Sequence, residues 1–381
     1  MKFSQTLMLS AGGFLTVLLL TIGYAAVEKE PVLATHSDTI KQIKSGSGEK
    51  IGYTDMIKDL AKRRVVFVGE QHTRMDHHLT QLTILKEMHA RNPKIGIGVE
   101  WFQQGFQGVL DDFVLGKIDE TEMLRRTEYY ERWKFDYRLY RPIMNYARAN
   151  QLPVIALNAP VEVTRKVSEK GLDGLSKEDR LKLPKEISPP TAEYKKQLDK
   201  VFAMHDLPKD QIERFITVQR VWDETMASNT VDFLQANPEA QMVVFSGIGH
   251  ISHDAGIPRD FARLMPNETY ARVMTENEKG DVPVIGEYIL QSDEVLLPKK
   301  GMMGVWLETL EDHVKITRVS GEGAAAAAGI KAKDKIVSID GGIIMNMTDL
   351  KLLMDRKKPK DSVQLVVIRG NEQKEFKVIL K

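Results

Sequence analysis

Three apolar runs each end in a group that can move a proton or hold a metal. Val65-Val66-Phe67-Val68, closed by Gly69, leads into Glu70-Gln71-His72. Ile95-Gly96-Ile97-Gly98-Val99 stops at Glu100, and Met242-Val243-Val244-Phe245 runs into Ser246-Gly247-Ile248-Gly249-His250. Each run has the pattern of a buried strand, and in an open parallel sheet ligands bind beyond the carboxyl ends of the strands. Glu70, His72, Glu100 and His250 together can make a first-row metal site or set a general base beside an electrophile. His253 follows closely enough to join as a ligand. The glycines before His250 let the backbone turn sharply near a ligand. Gln219 and Asp223, four apart, share one helix face and can orient the imidazoles from behind. Taken singly, each group has a plainer role: a histidine after a strand often only hydrogen-bonds, and Glu100 can pair with an arginine. Four such groups at three strand ends favour a functional crevice. His77 and His78 fall at a helix start, where one of them is expected to be exposed. His89 and His205 end helical patterns and suit the helix dipole, and His313 reads as surface.

Composition narrows the chemistry. Hydrophobic residues make up 42% of the 381 and charged residues 28%, enough for a real core. A net charge of +1 gives no electrostatic reason to expect nucleic acid. With no cysteine, disulfides, thiolate zinc, iron–sulfur clusters and cysteine nucleophiles are excluded, and a metal must take His, Asp, Glu or Tyr.

The elements that must position these groups follow from periodicity. Lys2, the apolar stretch Met8 to Ile22 and the small residues near Gly23-Tyr24-Ala25 read residues 1–27 as a signal peptide or an uncleaved anchor. Either places the protein in a periplasm or on the outer face of an inner membrane, with residues 8–27 as the possible tether. Residues 28–50 are polar and read as a linker. Residues 51–295 alternate strand and helix, which predicts a mainly parallel α/β sheet flanked by helices. Tyr270 to Thr275 and Pro283 to Leu290 read as edge strands. After Pro298-Lys299-Lys300 the style changes to short strands around one helix, so residues 301–381 form a second, small, β-rich domain. Its lysines are interleaved with acids and read as a solvated face.

The run Ala324 to Gly329, then Ile330-Lys331-Ala332-Lys333-Asp334-Lys335 and the strand ending Asp340-Gly341, resembles the PDZ domain of bacterial HtrA-like proteases. The resemblance implies β-augmentation by a peptide or protein C-terminus, with its carboxylate on the loop Gly301 to Val305. Met303, Gly304, Val305, Leu350 and Leu353 would line the groove. Trp306 is larger than that family's pattern and leaves the ligand preference open. The plainer alternative is a module that only docks on its own main domain. No protease triad accompanies it.

Between residues 50 and 290, Gly69-Glu70-Gln71-His72, Gly98-Val99-Glu100, Gln219 with Asp223, and Gly247-Ile248-Gly249-His250 resemble the ChaN family of haem- and iron-associated proteins. That family shares a superfamily with the Tiki proteases, the TraB proteins and the erythromycin esterases. The resemblance implies haem bound between paired subunits, hence a possible homodimer, with tyrosine ligation. Tyr129, Tyr130, Tyr137 and Tyr140, crowded with Trp133 and Phe135, are the candidate ligands; a haem site also wants an aromatic wall. The same aromatics can equally pack a helix on the sheet. Three functions follow. The first is an extracytoplasmic haem or iron binder whose PDZ domain recruits a peptide. The second is a hydrolase, metal-dependent or His/Glu-assisted, using Glu70, His72, Glu100 and His250. The third, a degenerate scaffold with PDZ docking alone, is disfavoured by the intact Glu/His set.

Overall fold

The computed structural model describes residues 40–192, 194–196, 208–252, 255–276, 285–311 and 313–381. The expected signal peptide or anchor lies outside them, and among the described residues no helix is long and apolar enough to cross a membrane.

The apolar runs become strands of one seven-stranded sheet. Its members are β1 (Ile40–Ser45), β2 (Val65–Glu70), β3 (Ile95–Gln103), β4 (Val154–Asn158), β5 (Gln241–Gly247), β6 (Tyr270–Glu276) and β7 (Tyr288–Ser292), in the order β1-β7-β6-β2-β5-β3-β4. All neighbours are parallel except β1 with β7. Strand β5 therefore sits between β2 and β3, which are consecutive in sequence but not paired.

Alternation along the strands supplies two apolar faces. Val66, Val68, Ile97, Val99, Val243 and Phe245 face one core, which includes Leu79, Ile84 and Leu85 of the helix Met75–Arg91. Val65, Phe67, Met242 and Val244 face the other, built on Met226, Val231 and Leu234 of the long helix Lys209–Ala236 and on Ile257 and Phe261 of Gly256–Leu264. The glycines of β3 explain the close fit of the second layer. A Cβ on Gly96 would lie 2.4 Å from the Phe233 ring, and one on Gly98 would lie 2.7 Å from the Met242 side chain.

Two expectations are corrected. The stretch taken as a linker contributes β1, because Ile40 and Ile43 give an edge strand the one apolar side it needs, against β7. The Tyr270 run is an interior strand, paired with both β2 and β7; its centre is buried on both faces.

Residues 305–379 form a second, antiparallel sheet in the order β13-β12-β10-β9-β8. Its strands are β8 (Val305–Thr309), β9 (Val314–Val319), β10 (Lys335–Ile339), β12 (Ser362–Arg369) and β13 (Glu372–Ile379), with the short β11 (Gly342–Ile343) beside β10. The helix Met347–Met354 completes it and has two loyalties. Leu350 and Leu353 pack into the second core, while Leu352 packs on the first. Around it, Asp355 meets Arg141, Tyr130 and Lys300; Arg125 pairs with Asp349; and Thr348 donates to Glu131.

Candidate functional site

Because β2, β5 and β3 are neighbours, Glu70, Gly247 and Glu100 arrive side by side. Glu70 pairs in register with Gly247, and the β3–β5 pairing ends at Val99 with Phe245. At the next position the Glu100 side chain takes over, accepting the Gly247 N–H at 2.6 Å. His72 turns back from the end of β2 so that its Nδ1 lies 2.6 Å from Glu70 Oε1. Gly247 makes this possible: a Cβ there would come within 2.8 Å of His72 Cε1 and 3.1 Å of Nε2. Ligand atoms of Glu70, His72 and Glu100 all lie within 4.8 Å of one another.

His250 closes the group from the short turn after β5. Its Nε2 is 3.4 Å from Glu100 Oε1 and its Nδ1 is 2.6 Å from Asp223 Oδ1. Asp223 is held in turn: its Oδ2 accepts from Tyr194 at 2.8 Å and from Arg220 at 3.3 Å. Gly256 lets the next helix begin against this turn; at φ +66°, a Cβ would collide with the His250 carbonyl.

Charge is tightly balanced. Burial works against ionised Glu70, yet His78 and His72 outweigh it and lower its pKa. Burial likewise opposes protonation of His72, but its hydrogen bond to Glu70 and the charges of Glu70 and Glu100 raise its pKa. His250 is pushed up to about 9, burial being overcome by Glu100 and Asp223. Glu70 Oε2 is buried without a hydrogen-bond partner, 3.7 Å from His78 Nε2. An anionic oxygen left in that state is the donor a cation would satisfy.

The open side of His72 is aromatic. Trp133 and Phe135 stand against the imidazole at centroid distances of 5.0 and 4.7 Å, and the His72 side chain remains 28% exposed. Beside it a cleft of about 80 Å³ runs between Glu100, Gln103, Trp133, Asn158, Thr164 and Trp222.

The sequence-predicted residues divide clearly. Glu70, His72, Glu100, His250 and Asp223 come together. Gln219 lies one turn from Asp223, half-buried, and among the described residues bonds to neither imidazole. His253 lies outside the described residues, as does His205. The four tyrosines do not reach the crevice mouth: Tyr129, Tyr137 and Tyr140 are at most 1% exposed and Tyr130 is 6% exposed. Tyr130 donates to Asp355, and Tyr140 accepts from Trp133 Nε1. Burial raises the pKa of all four, and their rings pack in the first core; the Tyr129 and Tyr137 hydroxyls are buried there without a hydrogen-bond partner among the described residues. Neither His77 nor His78 is exposed, because the first turn of the helix Met75–Arg91 faces the sheet. His77 Nδ1 accepts from the Gln71 N–H and His78 stands beside Glu70. Tyr194 and Arg220 were not foreseen; Arg220, three residues before Asp223 on the same helix, was the available signal. In the second domain Met303 and Leu350 are buried in the core, while Val305 and Leu353 are partly buried against it. Gly304 takes φ +74°, and a Cβ there would meet Gly323 at 2.9 Å.

Residues 56–261 match the family model for haem-binding uptake proteins of the Tiki superfamily, ChaN. Residues 301–380 match the PDZ domain model. Among solved structures, ChaN of Campylobacter jejuni, described for cofacial haem binding, aligns at 20% identity with a TM-score of 0.54, covering 66% of this chain and 96% of that one. The HtrA3 PDZ domain bound to a phage-derived ligand aligns at 20% identity and TM-score 0.20, covering 22% of this chain and 86% of that one. The Arabidopsis thaliana protein Reticulata-related 5, chloroplastic, is 24% identical over 242 residues. That is 58% of this chain but 32% of the relative, so the chain spans about a third of the curated relative it matches.

Proposed function

Since this chain belongs to the ChaN haem-binding uptake family of the Tiki superfamily and carries a PDZ domain, we propose that it is an extracytoplasmic haem or iron binder whose PDZ domain engages a partner peptide. The observation that carries the haem reading is His72. Its side chain is the most exposed of the crevice histidines and is walled by Trp133 and Phe135, and an imidazole beside an aromatic wall suits haem iron. The enclosed cleft is far smaller than a porphyrin, so His72 would hold haem from its exposed edge. Bound iron would supply redox or ligand-exchange chemistry; the chain's own part is to fix the imidazole through Glu70 and exclude water with the two rings. The peptide reading is supported by the PDZ match and by β8, an edge strand open to augmentation. The extracytoplasmic placement is supported by the apolar stretch at the start of the sequence.

The test is a haem titration of the purified chain. A Soret shift at stoichiometric haem, lost in His72→Ala and kept in Tyr140→Phe, is the expected result. No shift in the wild-type protein rejects the reading.

A second reading is favoured by Glu70 Oε2, which is buried without a hydrogen bond. Glu70, His72 and Glu100 have the hard donor set of a divalent-metal centre. A metal bound there would polarise a carbonyl and acidify a water. His250, oriented by Asp223, would carry a proton at Nε2 beside Glu100. Metal content checks this: one equivalent of a divalent ion without haem supports a hydrolase, and no bound ion, either as isolated or after incubation with divalent metal, rejects it.

A further inference from the structure

Strand β8 ends its sheet. Strand β9 pairs one edge, and no described strand pairs the other. Side chains on it alternate between two faces. Val305 and Leu307 pack on the second core with Met303, Leu350 and Leu353, which makes theirs the pocket side. Trp306, between them, points the other way and is 47% exposed. Its cross-strand partner is Arg318, whose guanidinium lies 3.5 Å from the indole centroid. Further along the same face Glu308 stands opposite Lys315, and Lys315 opposite Lys335. Three cations thus share the face with one carboxylate. Among the described residues no carboxylate pairs with Arg318.

A large exposed indole is costly to leave in water unless something covers it, and a guanidinium stacked on it is already ordered before a ligand arrives. A peptide adding to β8 has the same two-residue period as the strand. If its last side chain enters the pocket, the penultimate one lands on the Trp306 face. We propose that the Trp306–Arg318 stack is a second subsite of the peptide groove, reading the penultimate residue and selecting an acidic one. The proposal rests on the PDZ peptide reading above. The carboxylate would take a charge-assisted hydrogen bond from Arg318 while its methylene lies on the indole; a lysine there would meet like charge.

The experiment is fluorescence polarisation with the purified full chain in detergent. The probes are labelled octapeptides with a free carboxyl end, terminating in Val, Leu or Phe, with Asp, Gly or Lys in the penultimate position. Amidated versions serve as controls. For the best last residue, Asp should bind about three- to fivefold tighter than Gly, and Lys correspondingly weaker, as expected of a partly exposed ion pair. The spread should shrink at about 0.5 M salt. In Arg318→Gln the Asp–Lys difference should collapse while the Gly peptide is unaffected. Equal affinity for Asp, Gly and Lys overturns the subsite and leaves peptide binding intact. Failure of every peptide, with free and amidated forms alike, overturns the peptide reading and the subsite with it.

Discussion

At His250 two carboxylates decide where the proton stays. An unfolded histidine titrates near ~6.5, whereas Glu100 and Asp223 hold His250 at about 9 despite burial. The folded value lies above the unfolded one. The contribution to stability is therefore complete below about pH 6.5 and is lost as the pH climbs through about 9. For metal-free protein the urea midpoint should fall between about pH 7 and 9, and His250→Gln should flatten that fall. A level wild-type profile would show that the pairing is not stabilising. Metal binding must displace the same protons, so divalent-ion affinity, followed by calorimetry, should rise over that interval. Gly247 gives a purely steric test. Gly247→Ala places a methyl against His72 and should abolish Soret or metal binding while circular dichroism stays native. Glu70, His72, Glu100 and His250 were legible in the sequence because each ends an apolar run. The burial of the four tyrosines was not, since nothing in a sequence separates an aromatic at a cleft mouth from one inside the core.

At the scale of elements, strand β3 reads as isoleucine and valine separated by glycines. The glycines first suggest weakness, since they bring little to a strand. Instead Gly96 lets Phe233 of the long helix approach the sheet, and Gly98 makes room for the side chains of its strand neighbours Met242 and Leu157. Gly96→Ala should cost about 1–3 kcal/mol by overpacking, read as a lowered urea midpoint, with a larger loss than at the solvent-open Gly105. An equal effect at both would mean the helix simply moves aside. Strand identities were legible from period and apolar run length. Strand neighbours were not: the Tyr270 run, with Arg272 in its middle, carries no local mark of its two partners, and β1 is marked only by Ile40 and Ile43. Pairing partners are long-range facts that no local pattern carries.

At the scale of the whole molecule, the end of the PDZ helix and the segment 129–141 share an interface built on Asp355, Arg141 and Tyr130. That segment also presents Trp133 and Phe135 to His72. Asp355→Ala leaves Arg141 with Glu120 alone and leaves the Tyr130 hydroxyl without its acceptor. It should speed proteolytic cleavage in residues 293–300 and split a single thermal transition into two. An unchanged cleavage rate would mean that the apolar contact of Leu352 suffices. Two domains were legible from the change of style after residue 300; their mutual packing was not, because helix Met347–Met354 has too few residues to announce two faces. The insertion of β5 between β2 and β3 bears also on how the chain acquires its shape. Until residue 241 is available, β2 and β3 face an empty slot with both inner edges unpaired, and such edges invite association with other chains. Closing the slot joins segments more than a hundred residues apart, the kind of contact that folds slowly. The crevice cannot exist on a nascent chain, so nothing that needs Glu70, Glu100 and His250 together can be held there before the fold is finished.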